Sequence, residues 1–170
     1  FDGASFVINA DRSLAVQMPA WQEALTLTHW TRSAEGWLCA ASERTLVEDG
    51  DASAYQACMV GLRDYVGKNG FPGVVLGLSG GIDSALVAAI AVDALGPQRV
   101  HCVMLPYRFT SEESLADAAK CATALGVRYD TVPISAPVEG FQAALAGLFT
   151  GTDRGITEEN LQSRARGTIL

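Results

Sequence analysis

The stretch Val74-Val75-Leu76-Gly77-Leu78-Ser79-Gly80-Gly81-Ile82-Asp83-Ser84-Ala85-Leu86-Val87-Ala88-Ala89 decides how the rest of the chain is read. Val74 to Leu78 is a short apolar run with a β-branched start, which predicts a buried strand rather than a helix. It stops at Ser79-Gly80-Gly81, where two consecutive glycines open torsions closed to other residues and leave no Cβ to block a ligand. From Ser84 the pattern becomes an Ala/Leu/Val-rich helix to Leu95, with Gly96-Pro97 as its stop signal. Strand, glycine loop and helix bring loop amides and a helix N-terminus to one point. The helix dipole makes that point positive, so it suits an anion, phosphate above all. No Gly-Lys-Ser/Thr follows the glycines, so this is not the Walker pattern. Two glycines alone would be read as an ordinary strand-to-helix turn; both serines and the aspartate at fixed spacing argue otherwise.

Outward from this stretch the chain alternates. Val100 to Leu105 predicts a second strand closed by Pro106, with a loop over Tyr107 to Thr110. Thr110-Ser111-Glu112-Glu113 reads as a capping-box start for a helix that keeps Leu115, Ala118, Ala119, Ala122 and Leu125 on one face and ends at Gly126. Arg128 to Ile134 predicts a third strand, Pro137 to Phe149 a shorter helix, and Thr150 to Gly155 a mobile loop. A last helix starts at Thr157 as N-cap, with Glu158 and Glu159 suited to its dipole. Asn160 and Arg164, four residues apart, share one face of it. Strands and helices of this length demand right-handed crossovers, giving an α/β fold with a parallel, doubly wound sheet. Ligands of such sheets sit at the carboxyl ends of the strands, where Ser79 to Ser84 and Leu105 to Tyr107 both fall.

Ahead of this region, residues 1–31 read as all-β: Ser5 to Ala10, a turn at Asp11-Arg12-Ser13, Leu14 to Met18, and the alternating run Leu25 to Trp30. Residues 32–52 are charged, small and aperiodic, as in an inter-domain linker. A helix from about Ser53 to Lys68 follows, with Tyr55, Cys58/Met59, Leu62 and Tyr65/Val66 as a core-packing stripe. The 170 residues, 49% hydrophobic, can bury a sizeable core, in one domain or one plus part of another. Acidic groups outnumber basic ones, 19 to 12, for a formal charge of −7, which argues against an unguided nucleic-acid surface. No apolar run reaches the roughly 18 residues of a membrane span, and Phe1-Asp2-Gly3 opens no signal peptide. Cys58, Cys102 and Cys121 are expected to be buried free thiols suited to a reducing cytoplasm, and Cys39 has no nucleophile context. A start without methionine in a strand-like stretch, and an end inside a helical pattern, lead us to expect a piece of a longer protein.

Ser79-Gly80-Gly81-Ile82-Asp83-Ser84 resembles the S-G-G-x-D-S pyrophosphate loop of the ATP pyrophosphatases, which split ATP into AMP and pyrophosphate to activate a carbonyl or carboxylate oxygen. Glu159-Asn160-Leu161-Gln162-Ser163-Arg164-Ala165-Arg166-Gly167 resembles the E-N-x-Q-x-R-x-R-G segment of NAD synthetases, and Met104-Leu105-Pro106 and Thr110 to Ser114 fit the same family. Phe1-Asp2-Gly3-Ala4-Ser5-Phe6 is similar to a late-strand segment of nitrilase-like amidase domains, which points to the glutamine-dependent form. The resemblance implies three parts: an amidase-domain remnant over 1–31, a linker over 32–52, and a truncated synthetase domain over 53–170.

The family converts deamido-NAD to NAD. ATP adenylates the nicotinate carboxylate, and ammonia, released from glutamine by the amidase domain, displaces AMP. By this resemblance Ser79, Gly80, Gly81, Ile82, Asp83 and Ser84 bind ATP, with Ser79, Asp83 and Ser84 acting on the departing pyrophosphate. Asp83 is the implied Mg²⁺ ligand, Met104 and Leu105 lie against adenine, and Asn160 and Arg164 grip deamido-NAD. A second acidic metal ligand and a phosphate-contacting lysine are implied beyond this helix. The resemblance also implies a homodimer or higher homo-oligomer through the synthetase domain. Charge, hydropathy and free thiols lead us to expect no nucleic-acid or membrane partner and a cytoplasmic setting. Two rivals stay open: another pyrophosphate-loop ligase, of the GMP- or asparagine-synthetase kind, and a non-catalytic nucleotide-binding module.

Overall fold

The computed structural model describes residues 2–148 and 156–170, and the chain divides into two compact units, Phe1–Gly61 and Leu62–Leu170. The loop expected over 150–155 lies outside the described residues.

In the first unit β1 (Phe6–Ile8) pairs antiparallel with β2 (Leu14–Gln17), and β3 (Trp30–Ser33) pairs antiparallel with β4 (Gly36–Cys39). Asn9 ties the two hairpins together: its Oδ1 accepts the Cys39 N–H at 2.9 Å and its amide donates to the Cys39 carbonyl at 3.1 Å. Ala15, Val16 and Cys39 form the small core, so Cys39 is a packing residue. Two sequence expectations change here. The alternating run from Leu25 reaches a strand only at Trp30, because it has no pairing partner; Leu25 and Leu27 are 94% and 81% exposed. The end of β3 and all of β4 lie within 32–52, where composition suggested irregular chain. Trp37-Leu38-Cys39 is the apolar content that reading passed over.

Helix α1 (Gly50–Lys68) follows. Val66 is fully buried and Leu62 packs against the core of the second unit, as the stripe predicted. Tyr65, off the line set by Leu62 and Val66, is exposed, and so is Cys58, although it lies one turn before Leu62 on that line. The expected burial of Cys58 is wrong, whereas Cys102 is buried and Cys121 half-buried.

The second unit holds the predicted parallel sheet. Strands β5 (Val74–Gly77), β6 (Val100–Met104) and β7 (Arg128–Thr131) lie in the order β5-β6-β7, Leu76 opposite Cys102 and Val103 opposite Asp130. Helices α2 (Ile82–Leu95) and α3 (Glu112–Leu125) connect them, and α4 (Ser135–Leu145) and α5 (Ile156–Ile169) follow. The period of 2 along β6 explains the layers. Val100, Cys102 and Met104 pack with Ala88 and Ala91 of α2 and Ala118 and Ala122 of α3. Val103 and Leu105 pack with Val138 of α4 and Ala165 of α5. A central strand covered on both faces needs a continuous apolar run, and Val100 to Leu105 is one apart from His101. Burial pushes the Cys102 thiol up in pKa, which leaves it protonated and inert.

Local signals shift slightly. Helix α3 is capped by Ser111, not Thr110: the Ser111 hydroxyl accepts the Ser114 N–H at 3.1 Å. Thr110 instead closes the preceding turn, its hydroxyl accepting the Tyr107 N–H at 3.0 Å. Gly126 ends α3 in the left-handed region at φ 67°, as its position predicted. Helix α5 includes Thr157 rather than starting after it. Among the described residues no helix is long and apolar enough to cross a membrane.

Two features of this core give measurable expectations. The Tyr107 hydroxyl is buried with no hydrogen-bond partner among the described residues. Removing an unpaired buried hydroxyl relieves its desolvation penalty, so Tyr107→Phe should leave stability unchanged or raise it by about 1 kcal/mol in urea unfolding. A loss of stability would mean the hydroxyl has a partner. Separately, Asp130 accepts from His101 Nε2 at 2.7 Å and from Arg128 at 3.0 Å. These bonds, His101 first, hold its carboxyl below the usual range. A carboxylate depressed in the folded state adds stability that is complete above about pH 4 and is lost as pH falls through its folded value. Asp130→Asn should therefore destabilise at neutral pH, with the gap to the unaltered chain closing in acid. Parallel pH–stability curves would refute this.

Candidate functional site

The loop after β5 is built by its own serines. Ser84 sits in the first turn of α2, and its hydroxyl accepts the Ser79 N–H at 3.1 Å while donating to the Gly81 carbonyl at 2.9 Å. The Ser84 proton is thus committed, so in the 3.1 Å contact between the two hydroxyls Ser79 is the donor. Ser79 Oγ in turn accepts the Gly81 N–H at 3.3 Å. The serines satisfy two loop amides from within. The amides of Gly80, Ile82, Asp83 and Ser84 have no acceptor among the described residues. These are the orphan donors that every helix start leaves, here at the N-terminus of α2.

Gly80 holds the loop against its neighbour. Its φ is +85°, and a Cβ there would come within 2.4 Å of the Ser114 carbonyl oxygen in α3. Gly81 is the N-cap of α2, with φ −85°, and a Cβ there would make only an ordinary 3.5 Å contact with the Ser79 hydroxyl. The pair reads alike in sequence but only Gly80 makes the close approach. Asp83 is exposed on the first turn of α2, and its carboxylate has no hydrogen bond or ion pair among the described residues. Ile82 is 80% exposed beside it.

A cleft of about 400 Å³ opens next to the loop. Its walls are Gly77, Leu78 and Ser79 at the end of β5, Val103, Met104 and Leu105 at the end of β6, Thr110 before α3, and Arg166 and Leu170 of α5. The carboxyl ends of two adjacent strands thus meet at one site, beside the loop that leads into α2. Met104 and Leu105 form an apolar wall, 3% and 6% exposed. Arg166 Nε donates to the Leu105 carbonyl at 3.1 Å, and its guanidinium has no carboxylate partner among the described residues. Apolar wall, hydroxyls, free amides and one anchored cation together suit a ligand with a flat apolar ring and a polyanionic tail.

Of the residues singled out from sequence, the structure brings together Ser79 to Ser84 around the loop and sets Ser79, Met104 and Leu105 in the cleft. It does not bring Asn160 and Arg164 into that cleft; both lie on the exposed face of α5. Arg166 was missed. It stood in the same Arg164-Ala165-Arg166 run, and the signal lay in Ala165: a small buried residue marks the inward side of α5, which turns Arg166 toward Leu105. No cluster of three or more His, Cys, Asp or Glu side chains able to hold a metal occurs among the described residues.

With this geometry in view, the comparisons fall on the same region. The NAD synthase family model matches residues 54–170. A glutamine-dependent NAD(+) synthetase of Rhodobacter capsulatus is 53% identical over all 170 residues, which span 31% of that relative's length. The structure of a glutamine-dependent NAD+ synthetase from Acinetobacter baumannii in complex with adenosine diphosphate superposes at a TM-score of 0.93. That match has 45% identity and covers 100% of this chain and 32% of that one. An NH3-dependent NAD synthetase from Campylobacter jejuni superposes at a TM-score of 0.63, with 26% identity over 72% of this chain and 51% of its own. The parallel sheet, the serine-tied loop and the cleft all lie inside the matched stretch, and the chain belongs to the NAD synthase family.

Proposed function

We propose that this chain is the nucleotide-activating part of a cytoplasmic, glutamine-dependent NAD synthetase that amidates deamido-NAD at the expense of ATP. The observation that carries the proposal is the cleft itself, at the carboxyl ends of β5 and β6 and next to a loop with free amides. In it the Ser79 hydroxyl and the Arg166 guanidinium, which has no carboxylate partner among the described residues, stand beside an apolar wall. The relative from Acinetobacter baumannii was solved with adenosine diphosphate, which supports an adenine nucleotide as the ligand. We assign β1 to β4 to the end of an amidase domain, residues 40–52 to a linker and residues 53–170 to the synthetase part, a division supported by the pairing of β3 with β4.

In this reading adenine lies against Met104 and Leu105. The β- and γ-phosphates take the amides of Gly80, Ile82, Asp83 and Ser84, and Ser79 offers its hydroxyl at the cleft wall. The nicotinate carboxylate attacks the α-phosphorus, the bond to the bridging oxygen breaks, and pyrophosphate leaves with the electron pair. Loop donors aimed at the departing charge lower that barrier without proton transfer. Ammonia then attacks the acyl adenylate, AMP departs, and one proton is lost to give the amide. Arg166 neutralises phosphate charge in the cleft, while Asn160 and Arg164 contact deamido-NAD from the exposed face of α5, next to a second subunit in a homodimer. Mg²⁺ fits the donor set: one free carboxylate, Asp83, beside a phosphate seat is the arrangement this ion takes when the substrate supplies its other ligands. Bound there it would screen the phosphate charge.

Phosphorus NMR of the full-length protein with ATP, Mg²⁺, deamido-NAD and ammonium tests the proposal. AMP and pyrophosphate should appear only with deamido-NAD present, with NAD formed alongside. ADP and phosphate instead would sink it.

A further inference from the structure

The turn between β6 and α3 displays an aromatic ring that the fold does not use. Phe109 is 79% exposed. Single exposed apolar side chains are common, but this one stands on an unusually well-fixed support. The Thr110 N–H donates to the Tyr107 carbonyl at 2.8 Å, and the Thr110 hydroxyl accepts the Tyr107 N–H at 3.0 Å. Tyr107 roots the turn in the core at 7% exposure. Arg108 lies 4.9 Å over the Tyr107 ring and pairs with Glu139 of α4 at 3.6 Å. The Phe109 ring meets Tyr107 edge-on at 6.1 Å. Thr110, the next residue, lines the cleft with Met104 and Leu105. An exposed aromatic ring is thus carried on a fixed turn, one residue from a side chain that lines the cleft.

We infer that Phe109 stacks on the heterocyclic base of a nucleotide bound in the cleft and positions it against the apolar wall. The inference rests on the nucleotide reading above. A π-face accepts any base, so the contact contributes affinity and placement rather than choice between bases. A ring carried on a turn that is already fixed loses less entropy on binding than one on a free loop, and the doubly bonded turn provides that support.

The test compares the unaltered chain with Phe109→Ala and Phe109→Tyr by calorimetric titration of ATP, deamido-NAD and inorganic tripolyphosphate. Phe109→Ala should weaken ATP, deamido-NAD or both by about tenfold, Phe109→Tyr should restore the lost affinity, and tripolyphosphate, which has no base, should bind all three alike. A drop for ATP alone assigns the stacked base to ATP, and a drop for deamido-NAD alone assigns it to the dinucleotide. Unchanged binding of both base-bearing ligands by Phe109→Ala overturns the inference and leaves the nucleotide reading standing. If the unaltered chain binds none of the three, the nucleotide reading falls and takes the inference with it.

Discussion

Gly80→Ala is expected to destabilise the second unit by about 3 kcal/mol or more and to abolish nucleotide binding, whereas Gly81→Ala should fold nearly as well as the unaltered chain. Two costs add at Gly80. An alanine held at φ +85° pays about 1–2 kcal/mol for the left-handed conformation. Its Cβ would also lie 2.4 Å from the Ser114 carbonyl oxygen and 2.9 Å from the Ser114 Cα, which are backbone atoms of α3 that cannot rotate aside. Relief requires moving α3 or the loop. Either motion breaks the set of hydroxyl bonds that shapes Ser79 to Ser84, and strain at a special torsion is among the few mechanisms that give large single-residue losses. At Gly81 the backbone is extended at φ −85°, and the nearest atom to a new Cβ is the Ser79 hydroxyl at 3.5 Å, an ordinary contact. Urea unfolding of both variants, with ATP titration of whatever folds, checks the asymmetry. Equal stability of the two would show that the loop does not rest on α3 through Gly80.

The same comparison shows where the sequence was legible. Periodicity placed all three strands of the sheet because each is a short apolar or alternating run with a punctuated end, and parallel order follows from the helices between them. It also placed the loop, because two consecutive glycines fall between a strand-like apolar run and a helical one. What it could not separate was Gly80 from Gly81: their difference is a distance to Ser114, 34 residues on from Gly80, and no local pattern carries it. Arg166 was hidden for a related reason. Pairing Asn160 with Arg164 by helical spacing picks a face, but which face turns inward is decided by Ala165 packing on Val103 and Leu105. The β3–β4 hairpin was lost to composition, since four-residue strands in polar surroundings lack a period long enough to read.

Asp83→Asn should separate function from stability more cleanly than any other change in the site. The carboxylate is exposed and makes no hydrogen bond or ion pair among the described residues, so folding loses only its attraction to the helix N-terminus, about 0.3–1 kcal/mol. If Asp83 holds Mg²⁺ beside the phosphates, the same change removes the one anionic ligand the loop offers and should lower kcat/KM of the full-length protein by about 100-fold or more. Raising Mg²⁺ should recover part of the loss, since a neutral amide still coordinates weakly. Ser84→Ala is the contrasting case. It deletes the acceptor for the Ser79 amide and the donor to Gly81 together, so it should lower stability and activity in step, with no rescue by metal. Steady-state kinetics across a Mg²⁺ series, read beside unfolding curves for both variants, distinguishes the two roles. An Asp83→Asn protein within a few-fold of the original at every Mg²⁺ concentration would remove Asp83 from the metal site and leave the loop as a purely hydrogen-bonding phosphate seat.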